Sequence, residues 1–113
     1  MADTIENREY PRIEARWPIT VSTDEGTIKG ATRNISVDGI CIHCEKPIRL
    51  NEIYPMSILP PNHQIIELTG KVIWSDFYGI DDKDTAVALG VSFVEISDEH
   101  RHFFNDVVSV HLA

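Results

Sequence analysis

The chain has 113 residues, 42% hydrophobic and 25% charged, the balance of a single globular domain long enough for a real core and too short for two. Its formal net charge of −8 argues against a protein that coats polyanions, because non-specific nucleic-acid binding needs many lysines and arginines to neutralise phosphates. Neither DNA nor RNA is an expected partner. No apolar run approaches the roughly 18 residues of a membrane span, and the first residues lack the basic and apolar blocks of a signal peptide, so membrane insertion is not expected and a cytoplasmic location is.

Residues 1 to 16 are polar and follow neither a helical nor an alternating pattern, with Pro11 and Pro18 restricting the backbone around them. They read as a flexible N-terminal arm leading into a β-domain over 17 to 113. Trp17 to Thr23 alternates, Asp24-Glu25-Gly26 reads as a turn, and Thr27 to Arg33 completes a hairpin. A turn over Asn34 to Gly39 precedes a strand from Ile40 to Cys44, with Ile40, Ile42 and Cys44 on one face and Cys41 and His43 on the other.

Ile53 to Leu59 predicts a further strand, broken by Pro60-Pro61-Asn62. Ile65 to Ser75 predicts a long central strand with Ile66, Leu68, Val72 and Trp74 on its buried stripe and a bend near Gly70. Residues 77 to 84 carry Asp81, Asp82 and Asp84 and read as an exposed loop. Thr85 to Val94 gives a sixth strand with Val87, Leu89, Val91 and Phe93 facing one way. Ser97 reads as a helix N-cap, followed by Asp98 and Glu99 where negative charge suits the dipole, and then Phe103, Phe104, Val107, Val108 and His111 at helical spacing. The expected fold is all-β with one C-terminal helix, a six-stranded antiparallel β-barrel.

Two polar motifs stand out against this frame. Arg8-Glu-Tyr-Pro-Arg12 places two arginines four residues apart in an extended segment, and Asn34-Ile-Ser36-Val-Asp-Gly39 forms a turn. Either alone is unspecific: paired arginines are often a solvated surface pair, and Asn, Ser and Gly favour turns for backbone reasons. An arginine fork, however, donates two parallel hydrogen bonds to guanine O6 and N7 or to phosphate oxygens. A global negative charge does not prevent this, because screening confines the relevant field to about 8 to 10 Å.

In that order, and with the barrel pattern around them, the motifs resemble the ligand-binding signature of PilZ domains, bacterial receptors for cyclic di-GMP. Tyr10-Pro11-Arg12-Ile13, Trp17-Pro18-Ile19, Leu68-Thr-Gly70-Lys-Val72-Ile-Trp74 and Leu89-Gly90-Val91-Ser-Phe93 resemble other parts of the family pattern, so the likeness covers roughly residues 6 to 108. The resemblance implies cyclic di-GMP as ligand, with Arg8 and Arg12 clamping guanine edges and phosphates, Asn34 and Ser36 contacting the nucleotide, and Gly39 allowing a backbone conformation or close approach that a Cβ would block. It also implies a signalling role, in which the arm orders on ligand binding and an unidentified downstream protein reads the result. The alternative is a ligand-independent adaptor in motility or secretion. Asn7 stands where family members that bind a stacked ligand dimer carry another arginine, which favours one ligand per chain. The second register of equal spacing, Arg12 to Arg16, fits less well because Arg16 abuts Trp17-Pro18, where the first strand begins.

Catalysis is not expected, since no nucleophile elbow, phosphate loop or zinc-protease motif occurs. A zinc site built from Cys41, His43, Cys44, His63, His100 and His102 fails on direction, because alternation splits the strand residues and helical spacing splits His100 from His102. Trp17, Trp74, Phe77 and Tyr78 read as core or barrel-rim residues. Cys41 and Cys44 lie about 10 Å apart on an extended strand, beyond disulfide reach.

Overall fold

The computed structural model describes residues 12–78 and 86–112. Seven strands and one helix follow in order: β1 (Ile13–Glu14), β2 (Pro18–Thr23), β3 (Gly26–Ile35), β4 (Gly39–Cys44), β5 (Ile53–Ile58), β6 (Ile66–Tyr78), β7 (Ala86–Glu95) and α1 (Asp98–Leu112). The order β3-β2-β5-β6-β7-β4, with β4 returning to pair with β3, closes a six-stranded antiparallel barrel, and β1 adds to β3. Closure removes the free strand edges that would otherwise invite pairing with other chains. The fold class read from the sequence therefore stands. Residues 1–11 of the expected arm and 79–84 of the expected acidic loop lie outside the described residues, and Phe77 and Tyr78 belong to β6.

Strict alternation fills the barrel. Ile19 and Val21 of β2, Ile40 and Ile42 of β4, and Val87, Leu89 and Val91 of β7 are all within 2% of full burial. Each such side chain contributes roughly 1.5–3 kcal/mol relative to exposure. Helix α1 covers one end: Phe104 is fully buried and Val108 nearly so, while Phe103 and Val107 pack at the margin. Phe104 meets Trp17 at a centroid distance of 6.3 Å and Phe93 at 5.2 Å. Ser97 caps the helix as expected, its hydroxyl accepting the His100 N–H at 3.1 Å. His111, the last member of the expected stripe, lies outside the residues whose side chains are described.

Two irregularities re-aim side chains. The β3–β4 register shifts between Thr32 and Asn34, so Ile35 pairs with Ile40 inside the barrel while Asn34 pairs with Cys41 on the outer face. A regular strand would have sent Asn34 inward with Ile28, Gly30 and Thr32, because one extra residue inverts the parity of everything beyond it. β6 carries two shifts against β7, at Thr69/Gly70 and at Val72/Trp74, and the one at Val72/Trp74 is the second that re-aims a side chain. It corrects the sequence reading of Trp74: Val72 is fully buried, but Trp74 points outward and is 43% exposed.

β1, two residues long, lies within the last five residues of the expected arm. Ile13 pairs with Ile35 and Glu14 with Asn34, and Ile13 is 7% exposed. The break between β1 and β2 is closed by Thr32, whose buried hydroxyl accepts the Trp17 N–H at 2.8 Å and donates to the Ala15 carbonyl at 2.6 Å. Both polar groups exposed by the break are thereby satisfied, which buried backbone requires.

Candidate functional site

The first bulge assembles a row of outward-facing positions across five strands. Glu14 pairs with Asn34, Asn34 with Cys41, Cys41 with Gly90, and Gly90 with Trp74. Adjacent strands are about 4.8 Å apart, so the row from Asn34 to Trp74 spans about 14 Å. At one end Arg12 Nη1 donates to Asn34 Oδ1 at 3.0 Å. The two sequence motifs are thus joined through one member of each. Arg8 lies outside the described residues.

At the other end the indole of Trp74 lies against Gly90. A Cβ built on Gly90 would stand 2.0 Å from Trp74 Nε1, so only glycine admits the ring there. The exposed part of that ring is an apolar, π-bearing surface level with Arg12 and Asn34.

Ser36 and Gly39 lie behind this surface and build the turn. Ser36 is 1% exposed. Its hydroxyl donates to Asp38 Oδ1 at 2.6 Å and stands 3.1 Å from the Gly39 carbonyl, and its N–H donates to that carbonyl at 2.9 Å. The Asp38 carbonyl accepts the Phe93 N–H at 3.0 Å, fastening the turn to β7. Arg101 of α1 reaches the Val37 carbonyl at 3.4 Å. Gly39 is required by close approach, since a Cβ there would stand 2.4 Å from the Val91 carbonyl oxygen. In this state Ser36 presents no hydroxyl to solvent.

Arginines act on the titratable groups of this face despite the overall negative charge. Burial raises the Cys41 thiol above its ordinary pKa, opposed by the charges of Arg12 and Arg33. Burial lowers His43, and the neighbouring Arg33 and Arg16 lower it further. Arg33 Nη1 lies 3.2 Å from His43 Nε2. Among the described residues, no three His, Cys, Asp or Glu side chains come together as a metal site. Beside the Glu14 carboxylate at its β1 end, the row and its flanks offer the cations of Arg12 and Arg33, the Asn34 amide and an aromatic face, groups that suit an anionic ligand bearing a flat base.

The sequence reading missed Arg33 and His43, whose proximity depends on the register of β3 against β4. It also missed the clamp formed by Asp38, although Ser-x-Asp is a spacing at which a hydroxyl and a carboxylate can meet within a turn.

A family model described as PilZ domain matches residues 6–108. The chain belongs to the PilZ domain family. No curated protein matches it. Among solved structures, the PilZ domain of YcgR from Escherichia coli with c-di-GMP is similar at a TM-score of 0.76 and 16% identity, covering 92% of this chain and 90% of that one. Bacillus subtilis MotI/DgrA, an inhibitor of motility, is similar at 0.76 and 19% identity, covering 94% and 51%. The K. pneumonia MrkH–c-di-GMP complex is similar at 0.79 and 11% identity, covering 94% and 52%. The chain therefore spans about half the length of MotI/DgrA and MrkH. At these identities the likeness concerns the PilZ fold.

Proposed function

We propose that this PilZ domain is a cyclic di-GMP receptor that relays ligand binding to a partner protein. The observation that carries the reading is the junction of Arg12 and Asn34 at 3.0 Å, on an outer face that continues to an exposed tryptophan. Membership of the PilZ family supports it, as do the YcgR and MrkH complexes with c-di-GMP. No catalytic role is proposed.

The chemistry follows from the partners. Asn34 is neutral, so its hydrogen bond orients Arg12 without cancelling its charge, and the remaining guanidinium donors stay available to phosphate or to a guanine edge. The Asn34 amide nitrogen supplies two more donors. Trp74 offers a stacking face for a purine about 14 Å along the row. Arg8, four residues before Arg12, completes the clamp when the segment bearing it folds onto the ligand. That ordering changes the surface beside α1, which a partner can read.

Isothermal titration of cyclic di-GMP tests the proposal. Saturable binding in the micromolar range or tighter, near about −8 kcal/mol, is expected for the wild type, with loss of about 1.5–3 kcal/mol in Arg12→Ala, the worth of a charge-assisted hydrogen bond. Absence of binding at tens of micromolar, with no thermal stabilisation by the ligand, would overturn it in favour of an adaptor that works without nucleotide.

A further inference from the structure

We propose that Arg33 and His43, on the outer face of β3 and β4, form a phosphate subsite contiguous with Arg12 and Asn34. The inference rests on the receptor reading and adds to it the residues that take a phosphodiester of the nucleotide.

Arg33 is the residue at the β3 bulge, between Thr32 and Asn34. Its side chain is exposed and its Nη1 lies 3.2 Å from His43 Nε2. A guanidinium only donates, so Nε2 accepts and His43 is neutral with its proton on Nδ1. His43 follows Cys41 by two positions on the same strand face, which puts it about 7 Å from the level of Asn34. The Arg12–Asn34 pair and the Arg33–His43 pair are therefore separated by little more than the spacing of successive phosphates along a nucleotide chain. Both Arg33 and His43 have partners in the free protein, so a bound phosphate exchanges contacts rather than filling a vacancy.

The surroundings of His43 give the subsite a signature. From β3 it faces Arg33, and Ala31 is its paired residue; from the segment before β2, Arg16 contributes; from β7 its pair is the uncharged Ala88. On its own strand Cys41 precedes and Glu45 follows by two positions. Burial and the two arginines hold His43 neutral. A phosphate set against Arg33 offsets that repulsion and gives both imidazole nitrogens a reason to donate, so His43 takes up a proton as ligand binds. Affinity then rises as pH falls through the range in which free His43 is still neutral and bound His43 is charged.

The test is calorimetric titration of cyclic di-GMP at about pH 6 and about pH 8 in buffers of different ionisation heat. The proteins are the wild type, Arg33→Gln, His43→Gln and, as a surface control, Lys46→Gln. We expect wild-type affinity to rise about three-fold or more on acidification with net proton uptake, Arg33→Gln to bind about ten-fold more weakly, and His43→Gln to lose the pH dependence. Competing inorganic phosphate should weaken binding more in the wild type than in Arg33→Gln, where Arg12 alone of the two arginines remains to take it. A stoichiometry of one assigns the phosphate to the same ligand, and a stoichiometry of two that falls to one in Arg33→Gln assigns it to a second copy. Binding that is lost in Arg12→Ala yet indifferent to Arg33, His43 and pH overturns the subsite alone. Absence of wild-type binding overturns the receptor reading and the subsite with it.

Discussion

Ser36→Ala separates two roles that the motif leaves entangled. The Ser36 hydroxyl is buried and donates to the Asp38 carboxylate at 2.6 Å, inside a turn also held by the Ser36 N–H to Gly39 carbonyl bond. A hydrogen bond to a charged group contributes about 1.5–3 kcal/mol. Asp38 is exposed, so its carboxylate regains water when the hydroxyl is removed, and the expected loss falls to about 1–2 kcal/mol. With an unfolding entropy of about 2.1 cal/mol/K per residue, 113 residues make 1 kcal/mol worth about 4 °C, so Ser36→Ala should melt about 4–8 °C lower. Asp38→Asn keeps an acceptor for the hydroxyl and should lose less than half as much. Thermal unfolding followed by circular dichroism, alongside ligand titration, reads both quantities. A Ser36→Ala protein that melts within about 1 °C of wild type but binds ligand poorly would refute the clamp and make the hydroxyl a direct ligand contact.

Gly90→Ala should displace the Trp74 indole, which a Cβ would meet at 2.0 Å; a shifted tryptophan emission and weakened ligand binding are expected, and an unchanged spectrum would refute the packing. Burial, with Glu45 adding to it, pushes the Cys44 thiol up to about 11 from 9.0, so the folded state favours the neutral thiol. That contribution is fully present below about pH 9 and is lost as pH rises towards about 11, so Cys44→Ala should flatten the alkaline limb of a stability profile measured by denaturant titration. Ile13→Ala removes a nearly buried side chain paired with Ile35 and should cost about 2–4 kcal/mol, with amide exchange rising at 13–16; exchange unchanged there would show that β1 does not depend on this contact.

The parts of the fold that were legible depend on local pattern. Inward positions at a period of two in β2, β4 and β7, and the apolar stripe of α1 with its Ser97 cap, are dictated by neighbours in sequence. What was not legible depends on non-local register. Trp74 follows Val72 by two residues, so parity alone puts both inside, and only the shift against β7 turns the indole outward. At Asn34 the parity break has a sequence trace: Ile28 and Ile35 both face the core although they are an odd number of residues apart, which demands one extra residue between them. Of the motif residues, Arg12 and Asn34 meet in the structure, 22 positions apart in sequence. Burial decides the distinction between Asn34 as an outward group and Ser36 as an internal clamp, and a motif does not encode burial.

The bulge and the short strand β1 bear on affinity together. Ordering a residue costs about 1–2 kcal/mol, so a receptor that had to fix every residue from Arg8 to Arg16 on binding would spend roughly 9–18 kcal/mol before any net gain. In this structure 13–14 is already paired with β3, Ala15 N–H donates to the Arg33 carbonyl at 3.2 Å, and Arg12 is already bonded to Asn34. The five residues 12–16, placed in this way before any ligand arrives, take roughly 5–10 kcal/mol off that cost. On the receptor reading proposed above, the buried Ile13 and Thr32 act on affinity by fixing Arg12 in advance, and the bulge acts by turning Asn34 to meet it.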